Sequence, residues 1–178
     1  ATQIERSYSY TREATETEPG VLKTLDPSVF NDVIKKAKKN ADLCLVFVHW
    51  GTEGNAYYGQ DQLELATGFV QAGADAIIGG HTHCLEGIEF MNGVPIYYSL
   101  GNYWFSLSGT MPADYDTGLA RVRIRADGVI SYEFVPCRFA NGMTSELDNE
   151  AESRELFDYI ESISNTTVID DDGRILPK

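Results

Sequence analysis

The sequence predicts an α/β fold, and two observations carry that prediction. In the first half of the chain, amphipathic helices alternate with short apolar runs, in the order helix, strand, helix, strand that is typical of a parallel sheet. In the second half, turn pairs such as Asn92-Gly93 separate strand-sized runs, which indicates hairpins and therefore a mixed sheet. The 178 residues are enough for one domain with a sizeable core.

The chain begins with about 20 polar, irregular residues, in which only Tyr8 and Tyr10 suggest an edge strand. A helix follows, with Asp26 expected at the N-cap and Pro27 at the first helical position. Asn40 is a plausible stop for this helix. The apolar stripe predicted to face the core consists of Val29, Phe30, Val33, Ile34 and Ala37.

Two buried strands are predicted on either side of a second helix. Residues 43–48 are apolar in both alternating sets, which indicates a strand covered on both faces. The helix runs from about Gln60 to Ala72, with Gly73 as the residue that ends it. Residues 76–78 form the next short strand. The side chains of the helix expected to face inward are Leu63, Ala66, Phe69 and Val70.

Hairpins dominate the prediction for the second half. Asp127-Gly128 lies between two strands, the first of which alternates apolar residues with arginines. Its expected core face is Ala120, Val122 and Ile124. Its expected solvent face is Arg121, Arg123 and Arg125, which are also the one local cationic row that could meet a polyanion.

A last helix is predicted from about Glu150 to Ser164, with Asn149 and Glu152 as a capping box. Its apolar stripe is Leu156, Ile160 and Ile163. The remaining residues predict a short hairpin. The acidic run 170–172 lacks the spacing of a calcium loop and is interpreted as a turn.

Composition limits the classes of partner. Lysine and arginine total 14 against 27 acidic residues, a net charge of −13, which argues against nucleic acid or an anionic membrane surface as the default partner. Cys44, Cys84 and Cys137 are odd in number and far apart. They form neither a disulfide framework nor a zinc-binding pattern.

The three histidines of the chain all follow predicted buried strands. His49 comes directly after residues 43–48, and His81 and His83 come shortly after residues 76–78. The carboxyl ends of strands are where ligands collect in open α/β sheets, so we expect these imidazoles to share one cleft, within roughly 8 Å of one another. Imidazole suits zinc, manganese, iron or nickel. The alternative is that each is an ordinary loop or core histidine.

Oxygen donors and aromatic residues surround these histidines in the sequence. The available donors are Glu53, Asn55, Asp75, Glu86 and Asn102. Of these, Asn102 and Glu53 are our candidates for catalytic residues. Core packing is the expected fate of the aromatic residues, and walls of a substrate groove are the alternative. They are Trp50, Tyr57, Tyr58, Tyr97, Tyr98, Tyr103 and Trp104.

The motifs HWGTEGN, AGAD, GGHTH and YSLGN, in this order and spacing, resemble the capsule-synthesis CapA family, the poly-gamma-glutamate capsule proteins of bacteria. That family is related to the calcineurin-like metallophosphoesterases. The resemblance implies a four-layer α/β/β/α sandwich that holds two metal ions. It also implies that His49, His81 and His83 are metal ligands and that Asn102 lies near the site.

The chain departs from the family pattern because it contains no Gly-Asp dipeptide and no Asn-His motif. It also lacks an initiator methionine. We therefore expect residues 1–178 to be the C-terminal part of such a domain, whose N-terminal half supplies the remaining ligands. Manganese, zinc or iron is expected in the full-length protein. The isolated chain is expected to hold no tightly bound metal pair, although three imidazoles and a water make a legitimate single zinc site.

The resemblance leaves two functions open. The parent protein is either a di-metal hydrolase acting on a phosphate ester or an amide bond of a gamma-glutamyl polymer, or a non-catalytic component of capsule assembly or export. An anionic polymer or phosphate ester is the expected substrate, and other membrane proteins of the capsule machinery are candidate partners. An extracytoplasmic location, with an anchor outside these residues, is the expectation from the family.

Overall fold

A mixed sheet forms the centre of the fold. The computed structural model describes residues 2–3, 12, 14–23, 27–105, 114–126, 128 and 130–178, and its central sheet has six strands within these ranges. They are β1 (Thr2–Gln3), β2 (Leu22–Lys23), β3 (Leu45–His49), β4 (Ala76–Gly80), β5 (Ile88–Met91) and β6 (Val94–Tyr97), in the spatial order β2-β1-β3-β4-β6-β5. Neighbours are parallel except β5 and β6, which form the antiparallel hairpin. The predicted mixed α/β architecture is therefore confirmed.

Helices α1 (Pro27–Lys38) and α2 (Gln60–Ala72) cover one face of this sheet. Pro27 begins α1 as predicted, whereas Asp26, Tyr8 and Tyr10 lie outside the described residues. The bounds of α2 match the prediction, and Gly73 ends it in the left-handed conformation at φ 105°.

The buried stripe of α2 differs from the predicted one. Ala66 and Phe69 are buried as expected, but Leu63 and Val70 are only half-buried. Gln62 and Leu65 are buried instead, because the Gln62 amide turns inward to donate to the Glu86 carboxyl. The helix is thus rotated relative to the stripe that apolar residues alone predict.

Strand β3 is covered on one face, not on both. Val46 and Val48 are buried against the helices, but Leu45 is exposed and Phe47 is 59% exposed. The second layer packs on Ile78, which belongs to β4, and on β5 and β6. It does not bury the outer face of β3 in the part of the chain that the structure describes, so the predicted double burial was wrong.

That second layer consists of a three-stranded antiparallel sheet, a helix and a two-stranded hairpin. Its elements are β7 (Tyr115–Ile124), β8 (Ile130–Ala140), β9 (Met143–Glu146), α3 (Glu150–Ser162), β10 (Thr167–Ile169) and β11 (Ile175–Pro177). Phe134 of β8 and Phe157 of α3 join Ile78 and Tyr97 in one apolar cluster. The four-layer sandwich implied by the resemblance stays a prediction.

The hairpin turns follow the predicted chemistry. Asn92 and Gly93 both have positive φ, 51° and 82°, as a two-residue turn between twisted strands requires. Between β7 and β8 the turn forms around Gly128, while Asp127 lies outside the described residues. Ile124 was expected in the core but is 62% exposed, because it belongs to the last pair before the turn, at the tip of the hairpin.

The arginine row of β7 is partly neutralised by the neighbouring strand. Arg121 and Arg123 both pair with Glu133 of β8, and hydrogen bonding from Arg123 is the main reason that the pKa of Glu133 is lowered. Arg121 lies 3.8 Å from Glu146 as well. These arginines therefore offer a polyanion less free charge than the sequence alone suggests.

The last helix and hairpin agree with the prediction in part. Asn149 Oδ1 accepts the backbone N–H of Ala151 and of Glu152, which confirms the N-cap. The Glu152 carboxylate contacts Arg138. Asp170 Oδ1 accepts two backbone N–H groups, so the acidic run forms the predicted turn. None of the helices in the described ranges is long and apolar enough to cross a membrane.

Candidate functional site

The histidines meet at the carboxyl ends of β3 and β4. His49 is the last residue of β3, pairs in register with Gly80, and lies beside His81, which follows β4 directly. The ring centroids of His49 and His81 are 4.4 Å apart, and those of His81 and His83 are 6.4 Å apart. The parallel register places the strand ends side by side, so the sequence prediction of one shared location is consistent with this geometry.

The backbone at this edge depends on glycine and on unusual conformations. A Cβ on Gly79 would lie 2.1 Å from the Tyr98 carbonyl oxygen, so only glycine fits there. Beyond it, His81 and His83 have φ values of 111° and 61°, which side-chain-bearing residues rarely adopt. Such backbone conformations cost free energy and concentrate at functional sites.

Two backbone hydrogen bonds tie the loop after β3 to the loop after β4. The Trp50 N–H donates to the Gly80 carbonyl at 3.1 Å, and the Gly54 N–H donates to the Thr82 carbonyl at 2.8 Å. Glu53 lies in the exposed turn next to Gly54. The turn that carries this catalytic candidate is therefore beside the histidines, and the role of Glu53 stays a prediction.

Asn102 orients His83. The Nδ1 atom of His83 is 2.7 Å from Asn102 Oδ1. Because an amide oxygen only accepts hydrogen bonds, the neutral form of the ring carries its hydrogen on Nδ1 and its lone pair on Nε2. The His83 ring also contacts the Phe105 ring, and their centroids are 4.5 Å apart. Asn102 thus fixes both the tautomer and the direction of this imidazole.

The sequence did not reveal the role of Glu86. Its side chain is 1% exposed, and its Oε2 accepts one hydrogen bond from Gln62 Nε2 at 2.9 Å. The pKa of Glu86 is raised from 4.5 to about 7, mainly by burial. The hydrogen bond from Gln62 opposes this shift, and the charge of Asp61 adds to it. The available signal was a glutamate shortly after GGHTH.

Two of the remaining oxygen donors are engaged by structural partners other than the histidines. Asp75 precedes β4, at the opposite end of the strand from His81, and its carboxylate accepts from Lys38 Nζ and the Cys44 N–H. Asn55 Oδ1 accepts the Tyr57 N–H and shapes the local turn.

The aromatic residues divide into two groups. Trp50, Tyr97 and Tyr98 are buried, which confirms core packing for them, and Trp50 Nε1 donates to the Tyr98 carbonyl. Half-buried Tyr58 stacks on Tyr98 with ring centroids 3.9 Å apart. The remaining three, which do not pack in the core, are the exposed Tyr57, Tyr103 and Trp104.

The histidine chemistry suits a divalent metal, but the described residues do not form a finished shell. Neutral imidazoles are preferred ligands of zinc and related ions, and a ligating histidine usually donates its other N–H to an oxygen, as His83 does to Asn102. Within the described ranges, however, no group of three or more His, Cys, Asp or Glu side chains is arranged to hold a metal ion. The residues fit as part of a metal site.

Comparison with known proteins identifies relatives. The profile of the family described as bacterial capsule synthesis protein PGA_cap matches residues 2–106. The PGA biosynthesis protein CapA of Bacillus subtilis (strain 168) is 41% identical over 118 residues, which are 66% of this chain and 30% of that protein. The capsule biosynthesis protein CapA of Bacillus anthracis is 36% identical over 151 residues, 80% of this chain and 36% of that protein.

A more distant match is the uncharacterized protein y4sH of Sinorhizobium fredii (strain NBRC 101917 / NGR234), 36% identical over 74 residues, 40% of this chain and 16% of that protein. The chain spans about a third of the length of the two CapA relatives that it matches. The profile match includes β3, β4 and all three histidines. The chain therefore belongs to the bacterial capsule synthesis protein family PGA_cap.

Proposed function

We propose that this chain supplies the imidazole part of a divalent-metal hydrolase site in a capsule biosynthesis protein. The observation that carries the proposal is the meeting of His49, His81 and His83 at the carboxyl edge of the sheet, with adjacent ring centroids 4.4 and 6.4 Å apart. The resemblance implies the same three residues as ligands, which supports the assignment.

The chain's own residues have distinct roles in this proposal. His49 and His81 offer imidazole nitrogens from two adjacent strand ends, and Asn102 presents His83 with its Nε2 lone pair available. A bound zinc, manganese or iron ion would supply Lewis acidity and lower the pKa of a coordinated water. Glu53, in the solvent-exposed turn beside the site, is the candidate for accepting a proton.

The proposed substrate is a phosphate ester or an amide bond of a gamma-glutamyl polymer. The printed names of the relatives, which refer to PGA and capsule biosynthesis, support a capsule polymer. An anionic substrate meets a chain of net charge −13, so it requires a local cation at the site. A metal ion at the histidines satisfies that requirement better than Arg121 and Arg123, which are already paired with Glu133.

We further propose that the rest of the metal shell comes from a longer protein, since the relatives that match are about three times the length of the matching segment. Extracytoplasmic placement, an anchor elsewhere in that protein, and contacts with other capsule-machinery proteins are parts of the same proposal. The 178-residue chain alone is then expected to bind no tight metal pair and to show little or no hydrolysis.

The test is metal analysis of the chelator-washed and reloaded chain, combined with turnover of a generic phosphate monoester with added zinc or manganese. We expect one metal per chain, lost in His81→Ala and retained in the control Asn40→Ala, whose exposed side chain lies just after the end of α1. Two metals per chain with turnover that His81→Ala abolishes would show that the chain is a complete site. Failure to bind any metal, with the fold intact, would contradict the proposal and favour the non-catalytic assembly component.

A further inference from the structure

Residues 81–86, here called the histidine segment, connect β4 to β5 and carry two of the three histidines. The segment begins with two left-handed residues, His81 and His83, a conformation that persists only where surrounding contacts impose it. Its far end is Glu86, which is buried. The position of the rings therefore depends on what holds this segment at both ends.

Glu86 anchors the segment by its backbone and by its side chain. Its N–H donates to the Ser99 carbonyl at 3.1 Å, and its carboxyl accepts from Gln62 Nε2 at 2.9 Å. The Gln62 carbonyl oxygen in turn accepts the Gly59 N–H at 2.9 Å. The Gln62 bonds connect the segment to the N-terminus of α2, and the Ser99 bond connects it to the residues after β6.

The loop after His49 packs on the same anchor. Gly51 is so close to it that a Cβ at that position would lie 2.7 Å from Thr82 Cγ2 and 2.9 Å from Gln62 Nε2. Both histidine-bearing loops thus touch the Gln62–Glu86 pair or its immediate neighbours. A change in this pair would displace both loops.

The groups around the Glu86 carboxyl are neutral or acidic. Gln62 and Asp61 face it from α2, and Asp61 disfavours its ionisation. Burial, and to a lesser extent the Glu86 carboxylate, raises the pKa of Cys84 in the same segment and of Tyr98, which directly follows β6. Tyr58 and Glu89 also contribute to the shift at Tyr98. Glu86 Oε1 has no hydrogen-bond partner in the part of the chain that the structure describes. Such surroundings favour the uncharged acid.

We infer that uncharged Glu86 is the positioning residue of the site: paired with Gln62, it holds the histidine segment against α2 and so sets the places of His81 and His83. The inference rests on the proposed function only for what the two rings are used for. Ionisation buries a negative charge with one neutral donor and a nearby carboxylate, so the anchor weakens as the pH rises through neutrality.

The sign of the pH effect follows from linkage. Folding raises the pKa of Glu86 from its ordinary 4.5 to about 7. The stability that protonated Glu86 contributes is therefore fully present below pH 4.5 and is lost as the pH rises to about 7. At most, this difference corresponds to a roughly 300-fold fall in the folding equilibrium constant, tenfold for each pKa unit.

The first test is urea unfolding of the full chain at about pH 5 to 9, a range that spans the Glu86 pKa of about 7. Glu86→Gln keeps the shape but cannot ionise, so we expect it to gain stability over the wild type as the pH rises, by up to roughly two orders of magnitude in the equilibrium constant. Glu64→Gln, the same change on the exposed side of α2, should show no such gain. A Glu86→Gln difference that is independent of pH would overturn the inference.

The second test reads the rings directly, by NMR of the imidazole signals at pH 8 without metal. The wild type should show His81 and His83 signals shifted or broadened relative to Glu86→Gln, while Glu86→Ala should disturb them at every pH. If the wild type and Glu86→Gln have the same ring signals at pH 8, Glu86 does not position the histidines. Gln62→Met is a further variant. It removes the hydrogen bond that lowers the pKa of Glu86, so the pH-dependent change in the ring signals should occur at higher pH.

Because neither readout requires metal, failure to bind zinc would contradict the proposed function and leave this inference standing. Conversely, metal binding by all three histidines with no pH-dependent difference at Glu86 would support the proposed function and overturn the inference.

Discussion

Two buried glutamates three positions apart are held in opposite ways. Glu89, in β5, forms what we call the carboxylate clamp: its oxygens accept from the Tyr58 hydroxyl, from the Asn165 N–H and side-chain amide, and from the N–H and hydroxyl of Thr166. Glu86, at the end of the histidine segment, accepts one side-chain hydrogen bond from Gln62. Both side chains are buried.

The difference separates Glu89, which has a structural role, from Glu86, which lies beside the candidate site. The carboxylate clamp ties β5 to the connection between α3 and β10, and its many donors compensate the buried charge. Around the histidine segment, buried polar atoms of Glu86, Tyr98 and Asn102 lack hydrogen-bond partners within the described ranges. Buried polar groups are nearly always satisfied, and proteins break such local rules mainly at functional sites.

The largest effect is expected from emptying the clamp. Glu89→Ala leaves the N–H groups of Asn165 and Thr166 and the Tyr58 hydroxyl without their acceptor, so we expect a loss of about 3–5 kcal/mol in the free energy of unfolding. Denaturant unfolding monitored by tryptophan fluorescence measures it.

Glu89→Gln sharpens the comparison with Glu86→Gln. The same substitution should destabilise the chain at position 89, where the charge is compensated, and stabilise it above neutral pH at position 86, where it is not. Equal effects of the two glutamine variants at pH 8 would mean that the two carboxyls are not held differently.

A smaller effect is expected at the ring of His83. Asn102→Ala removes the acceptor of the Nδ1 hydrogen, and loss of such an orienting partner typically weakens metal affinity by about 10- to 100-fold. A zinc competition titration measures this, with Asn55→Ala, in the neighbouring turn, as the control. Unchanged zinc affinity in Asn102→Ala would remove Asn102 from the site.

The predictable parts of the fold are those that local patterns determine. The bounds of α2 follow from its periodicity and Gly73, and the β5–β6 hairpin follows from Asn92-Gly93. The outer face of β3 could not be predicted, because its burial depends on how far the second sheet extends sideways. The apolar residues around Phe47 in the sequence predict that it is buried, yet it is exposed.

The site shows the same division. Placing His49 and His81 together required only the rule that parallel strands end at one edge. The Gln62–Glu86 pair joins residues 24 positions apart, and neither residue type signals burial on its own. Asn102 was a candidate through the family resemblance, and its hydrogen bond to His83 depends on the tertiary arrangement.

The central claim, that His49, His81 and His83 contribute to one metal site, is tested most directly by NMR during a Co²⁺ titration. The chain has only three histidines, so every imidazole signal can be assigned with single alanine variants. We expect all three sets of signals to respond together and to stop changing at the same concentration of Co²⁺, and to lose this common response in His81→Ala. Signals that respond separately, or that do not respond in the folded chain, would contradict the claim.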